Sequence, residues 1–456
     1  MYSFRERIGV FNVPVSTNTK VTKHGYLGVD LTVPNQIGVS RDTSKLTSFF
    51  LDPFCARVKC SCGGDVPHKI LVLSDLPTSS SGLAKISREL ACRINKMEDF
   101  EVASYGSGGI ASKRFPWPQY ELAGPNALAP QNLPEEWTDF AGNERGTLLT
   151  IWNPGWLGWL THPELLPDGK LKNFIQSDPF DVWAYLPLDA EGPDGRVPLG
   201  IANIIKRFDR PLAYTQWEAD MIDKTIGGNI EHLPHGTDSS IFYPRDRESS
   251  RSSLVNLVTE KGDYPIKDGT LMIGVVATNS ARKDWQLAFQ VGRELVNRGL
   301  NIGLWCHTDA YVKYWDIPAL IAEYGLDGRV IVSNKHLTDN EVATCFSACD
   351  VTFGIGRGEG WGLPLSESLA AGTPVVHGKY AGATEFIPPN MLVEPIALFN
   401  DDFYGHQRPV FNVSDWADKT IFAASLGTGK SLLDPKFYWD NCWASWEEWL
   451  KRGIAK

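Results

Sequence analysis

Apolar positions along the chain fall into short unbroken runs that alternate with helical stripes. Lys69 to Ser74 (KILVLS) predicts a buried strand and Pro77 to Gly82 a turn, after which Leu83, Ile86, Leu90 and Ile94 recur at the spacing of one helix face. Further strand patterns occur at Val102–Tyr105, Thr147–Trp152, Asp181–Asp189 and from Arg210 towards Trp217. After a polar stretch, 245–268, expected to be a surface crossing, the same pattern resumes. Leu271–Ala277 reads as a strand, 278–284 as a turn, and Trp285, Phe289 and Leu295 as the inner stripe of a helix. Strands follow at Ile302–Cys306 and Arg329–Ser333, with a helix near Pro318–Tyr324 between them. Thr338-Asp339-Asn340-Glu341 then has the form of a capping box.

The most informative stretch is GRGEGWGLPLSESLAAGTPVV, from Gly356 to Val376. Val351, Phe353 and Ile355 precede it as a strand, and Thr373 to Val376 begin another. Pro364 suits a first helical position and Gly372 the position just past the end, so a short helix over Pro364–Ala371 is expected. A turn that follows a parallel strand lies at the carboxyl edge of the sheet, where ligands bind. Glu359 falls in that turn, and Glu367 is expected in the first helical turn. Two acids facing one cleft suit the hydroxyls of a sugar or a ribose; the alternative is that Glu359 caps backbone amides and Glu367 complements the helix dipole.

Repeated strand–turn–helix units predict an α/β protein of two doubly wound, Rossmann-like domains. The expected organisation is an extension over 1–66, a first domain over 67–245, a second over 246–430, and a terminal segment over 431–456. In that segment Trp439, Trp443, Trp446 and Leu450 share one helix face. The 456 residues carry 54 acidic and 44 basic side chains, a formal charge of −10 that disfavours nucleic acid and anionic membrane surfaces as partners. No apolar run reaches the roughly 20 residues of a membrane span, and the start MYSFRERIGV lacks a signal-peptide core, so a cytoplasmic enzyme is expected. The eight cysteines form neither a disulfide framework nor paired metal-binding CxxC motifs, although Cys55, Cys60 and Cys62 cluster near Asp52 and Asp65. Small basic groups, Lys206-Arg207 with Arg210 and Arg245 with Arg247, read as solvated surface.

The segment from Glu359 to Val376 resembles the E-x7-E signature of retaining GT-B glycosyltransferases, the group that includes glycogen and sucrose synthases and bacterial mannosyltransferases. Gly382-Ala383-Thr384-Glu385-Phe386-Ile387 is similar to the same family's Gly-x-x-Glu-x-Ile segment, and Leu233 to Asp238 with Phe242 to Pro244 resembles its inter-domain element. There His235 and Asp238 read as hinge structure. The resemblance implies a GT-B fold, two domains facing a cleft with a C-terminal helix crossing back, and a nucleotide-diphosphate sugar as donor. Arg282 and Lys283 match the family's diphosphate-binding pair, with Glu359 as the third catalytic residue, on the donor-sugar hydroxyls. Donor contacts are expected from Gly82, Asn279, Asn334, His336, Gly360, Trp361, Gly362, Leu363 and Glu367, the last on the ribose and the 334–337 turn at the base. The family's donor-sugar histidine is replaced by Trp152 and Asn153, and the aromatic loop 153–159 reads as an acceptor wall. No D-x-D triplet occurs, so neither metal nor other cofactor is expected. A glycan, a lipid-linked sugar, a small molecule or a modified nucleobase would all be possible acceptors. The rival readings are a nucleotide-sugar epimerase or phosphorylase on the same fold, or a non-catalytic sugar-binding module.

Overall fold

The computed structural model describes residues 66–122, 132–161, 164–165, 171–172, 179–258, 267, 269–310, 314–427 and 429–455. The cluster of Cys55, Cys60 and Cys62, and almost all of the expected 1–66 extension, lie outside them. Two open sheets of parallel strands organise the remainder.

The first sheet is formed by β1 (His68–Asp75), β2 (Phe100–Ser107), β3 (Gln119–Glu121), β4 (Gly146–Thr150), β5 (Phe180–Leu186), β6 (Arg210–Ala213) and β7 (Glu231–His232), in the order β3-β2-β1-β4-β5-β6-β7. The second contains β8 (Leu271–Val276), β9 (Ile302–His307), β10 (Val330–Ser333), β11 (Val351–Gly354), β12 (Val375–Gly378) and β13 (Leu392–Val393), in the order β10-β9-β8-β11-β12-β13. In each sheet the order reverses beside the first strand, so a crevice opens at the carboxyl ends of the strands, the place where doubly wound folds bind ligands. Ile70 to Leu73 and all of β11 are buried because helices cover both faces of a parallel sheet.

Local chemistry fixes the helix starts. Ser81 caps α1 (Gly82–Ile94), its hydroxyl accepting from Ala84 N–H at 3.0 Å. Asp284 caps α2 (Trp285–Asn297) in the same way, accepting from Leu287 N–H at 3.2 Å. The capping box at Thr338 and Glu341 forms as expected and opens α3 (Asp339–Ala348). The helix after the glycine turn, α4 (Leu363–Ala370), begins one residue earlier than expected. Gly362 turns the chain with φ 93°, which places Glu367 beyond the first helical turn instead of within it.

The polar stretch after residue 245 departs from expectation. Arg247–Val258 is a helix, capped by Asp246, which accepts from Ser249 N–H at 2.8 Å. Ser250, Leu254 and Val258 are buried, with Leu257 packed beside them, too few apolar positions to register as periodicity. Arg247 and Arg251 both pair with Asp350, whose carboxylate also accepts from Met272 N–H at 2.7 Å. Arg247 is thus a tie between the helix and the second sheet, not solvated surface.

The last helix, α5 (Trp439–Ile454), packs back on the first sheet. Trp446 stands edge-on to Tyr185 with centroids 4.7 Å apart, and its indole N–H donates to Pro234 O at 2.9 Å. Arg210 lies 3.9 Å from the Trp449 ring and donates to Trp449 O at 2.7 Å, so this cation is also structural. The outgoing and returning segments run side by side: Thr237 N–H donates to Phe437 O at 2.9 Å, and Trp439 N–H to Thr237 O at 3.2 Å. Among the described residues, no helix is long and apolar enough to cross a membrane.

Trp446 is fully buried and joins the last helix to the first sheet. Trp446→Ala is expected to lower unfolding free energy by about 3–5 kcal/mol, measured by denaturant titration; a loss below about 1 kcal/mol would show that the helix is dispensable to the fold.

Candidate active site at the cleft between the sheets

The turn after β8 and the turn after β11 are joined through their backbones. Asp284 N–H donates to Ile355 O at 2.8 Å, and Arg357 N–H to Arg282 O at 2.9 Å. Arg357 also donates from Nε to Asp284 at 2.9 Å, so the residue that caps α2 braces the glycine turn as well. This short ladder delivers two cations to one acid. Lys283 Nζ pairs with Glu359 Oε1, while Arg282 Nη1 donates to Glu359 Oε2 at 3.1 Å and to Gly358 O at 2.9 Å.

The electrostatics follow from burial. Burial by itself would push the Glu359 carboxyl up, but the charges of Lys283 and Arg282 reverse this and hold it at about 2. Lys283 moves the other way: desolvation and the neighbouring Arg282 charge bring its ammonium down to about 8, against the opposing pull of Glu359. A cation that titrates near neutrality beside a permanently charged guanidinium suits an anionic ligand whose arrival would stabilise the charged form.

Glycines let the second sheet's turn press against the first sheet. At Gly358, with φ 143°, any side chain would be driven into the Asp189 carbonyl. On Gly360, a Cβ would lie 3.1 Å from both Leu188 O and the buried Glu218 carboxylate. Across this contact Asp189, just beyond β5, faces Arg282 Nε at 3.3 Å and Arg408 Nη2 at 3.0 Å. Arg408 belongs to a hairpin of β14 (Pro395–Asn400) and β15 (Gln407–Phe411) that follows the second sheet.

Glu367 occupies a neighbouring hollow, also lined by Lys85, His235, Asp339, Leu363 and Trp439. Lys85 Nζ lies 2.6 Å from Glu367 Oε1 and 3.0 Å from Asp339, and over the Phe242 ring at 4.6 Å. Burial raises the Glu367 carboxyl, and Lys85 offsets this only in part. Gly362 and Leu363 stand between the two acids: a Cβ on Gly362 would be 3.5 Å from that of Glu359, while the Leu363 side chain borders the Glu367 hollow. Gly82 is the first residue of α1, and a Cβ there would touch Leu363 at 3.5 Å.

The other expected contacts divide. Asn334 and His336 are exposed at the carboxyl end of β10, just before Asp339. Asn279 is buried, and its amide is fully engaged: Nδ2 donates to Asp309 O and Trp315 O, and Oδ1 accepts from Trp315 N–H. It shapes the turn instead of presenting a group to a ligand. Trp361 is likewise buried, against His235, Phe386 and Phe437 at centroid distances of 4.6, 4.8 and 5.4 Å. Tyr185 spends its proton on Leu233 O, so His235 Nδ1 donates to the Tyr185 oxygen at 3.0 Å; burial brings the imidazole down to about 3 and keeps it neutral. Trp152 is buried and donates to Asp75 at 3.1 Å, and Asn153 accepts from Gly155 N–H at 2.9 Å.

Lys85, Asp189 and Arg408 were not legible as site residues. Asp189 alone left a trace, as the acid of a Pro-x-Asp strand end; Lys85 looks like an ordinary helix cation, and Arg408 sits in a hairpin with no motif.

Residues 316–395 match the family model described as "Glycosyl transferases group 1". The chain is 25% identical over 158 residues to the MMP alpha-(1->4)-mannosyltransferase of Mycolicibacterium hassiacum, covering 35% of this chain and 33% of that protein. It is 24% identical over 213 residues to the uncharacterized glycosyltransferase 335 of Sulfolobus islandicus rod-shaped virus 1, covering 43% and 60%. The chain thus spans about a third and three fifths of these two relatives. Among solved structures, sucrose-phosphate synthase from Thermosynechococcus elongatus superposes with a TM-score of 0.60 at 16% identity, over 85% of this chain and 99% of that one. Anabaena HepE in complex with UDP-glucose gives 0.60 at 14% identity, over 84% and 99%. With two Rossmann-like sheets and a crossing helix the chain has the GT-B fold, and the segment that matches the group 1 glycosyl transferase model carries both Glu359 and Glu367.

Proposed function

We propose that this chain transfers a sugar from a nucleotide-diphosphate sugar to an acceptor, with retention of anomeric configuration and without a metal ion. The convergence of Arg282 and Lys283 on Glu359, from turns more than 70 residues apart, carries the reading. The glycosyltransferase names of both curated relatives and the UDP-glucose bound to HepE support it.

In this reading Arg282 and Lys283 hold the diphosphate and Glu359 accepts from hydroxyls of the donor sugar. Glu367 accepts from the ribose, and the turn with Asn334 and His336 takes the base. The bond between the anomeric carbon and the diphosphate oxygen breaks, and its electron pair passes to that oxygen, where the two cations stabilise the charge. The acceptor oxygen bonds to the same face of the carbon, and its proton goes to the departing phosphate. Trp156, 46% exposed in the loop after β4, offers a flat ring to an acceptor sugar.

Screening UDP-, GDP- and ADP-sugars for consumption, followed by mass spectrometry of candidate acceptors, tests the reading; a chain that consumes none of them is not a transferase of this class. Arg282→Ala is expected to lower kcat about a hundredfold, and Glu367→Ala to weaken donor binding about tenfold; full activity in the first variant would remove Arg282 from the mechanism.

The Lys283 ammonium is charged below about 8 and neutral above it. Protonation is the active form, so kcat/KM should fall as pH rises through that value. In Lys283→Arg, whose guanidinium stays charged, kcat/KM should hold level to at least about pH 9; a basic limb unchanged by this substitution would assign it to another group.

A further inference from the structure

Asp189 belongs to the first sheet's side of the cleft, yet both cations it meets come from the second. One carboxylate oxygen faces Arg408 Nη2 at 3.0 Å and the other faces Arg282 Nε at 3.3 Å. Arg408 is itself held: it is buried, pairs with Asp401 at 2.7 Å, and donates from Nη1 to the Asp189 and Arg357 carbonyls at 3.2 and 3.3 Å. Asp189 is therefore fixed before it reaches Arg282. The Arg282 guanidinium is ion-paired with Asp189 on its Nε side and hydrogen-bonded to Gly358 O and Glu359 at Nη1. Its Nη2 has no protein hydrogen bond among the described residues, and the side chain is 36% exposed. A planar group held at two edges presents its third in a set direction.

We infer that Asp189, anchored by Arg408, is a positioning residue that sets the plane of Arg282 so that Nη2 meets the donor diphosphate. The inference rests on the transferase reading and adds to it a link between geometry and closure. Asp189 can align Arg282 only while the two halves are in contact, so the leaving-group cation is correctly aimed only in the closed molecule. With the halves apart, Arg282 keeps its charge and its second-sheet partners but loses its alignment, and a bound donor is spared hydrolysis by water. Asp189 touches neither donor nor acceptor in this scheme; it acts through Arg282.

The test uses the whole chain and the nucleotide sugar that it consumes in the panel above. Asp189→Asn should lower kcat 30- to 100-fold while KM for the donor and the Kd of the matching nucleoside diphosphate stay within threefold of wild type. Such a split marks lost alignment rather than lost binding. Arg408→Gln should fall in the same direction, and the double variant should be no slower than the worse single one, since both act through one group. Asp189→Glu keeps the charge and guards against failure of the Asn variant to fold; it should recover at least a tenth of wild-type kcat. Asp189→Asn turnover within threefold of wild type, or losses that add in the double variant, would overturn the assignment of Asp189 alone. A wild-type chain that consumes no nucleotide sugar would overturn the transferase reading and this inference with it.

Discussion

A buried carboxylate between two cations is the constraint on which the cleft depends. Glu359 is nearly excluded from solvent, and its charge is tolerable there only because Lys283 and Arg282 stand against it. Breaking a buried pair by deleting one partner typically costs about 3–5 kcal/mol, so the glycine turn and the cationic turn hold each other in place. The backbone ladder between 282–284 and 355–357 sets their spacing, and Asp284 adds a side-chain brace through Arg357. The two cations that fix the turns are those a phosphate ester could use. Binding chemistry and local stability therefore draw on one set of side chains.

Two further acids repeat the arrangement across the cleft, each with cations from the other side. Glu367 takes Lys85 from the first helix, and Asp189 takes Arg282 and Arg408 from the second half. Each contact crosses between the sheets. At Gly358 the backbones approach too closely for any side chain, and at Gly360 a Cβ would crowd Leu188 O and Glu218 at 3.1 Å. Small residues supply proximity and charged ones supply direction.

What the chain disclosed in advance was what is local. The glycine turn, the short helix ended by Gly372 and the Thr338 capping box each depend on a few neighbouring residues, and each formed nearly as expected. Arg282 and Lys283 could be placed because they occupy a strand-to-helix turn in register with a known pattern. Lys85, Asp189 and Arg408 could not, since their significance arises only when distant segments meet. The helix at 247–258 escaped for another reason: its apolar stripe has few members and its cations are spent on a buried aspartate. Asn279 and Trp361 sit within a motif, but their side chains turn away into packing, a choice made by tertiary neighbours and invisible to spacing.

The paired crossings near Thr237 and Tyr438 carry a mechanical implication. A single linker would let the two halves tumble independently, whereas two covalent strands laddered together act as the pin of a door. A swing about that line would keep these hydrogen bonds, whereas sliding or twisting would break them. Opening would then be smallest beside the pin and greatest at the far rim, so a long ligand could enter while the buried indoles of the final helix stay seated.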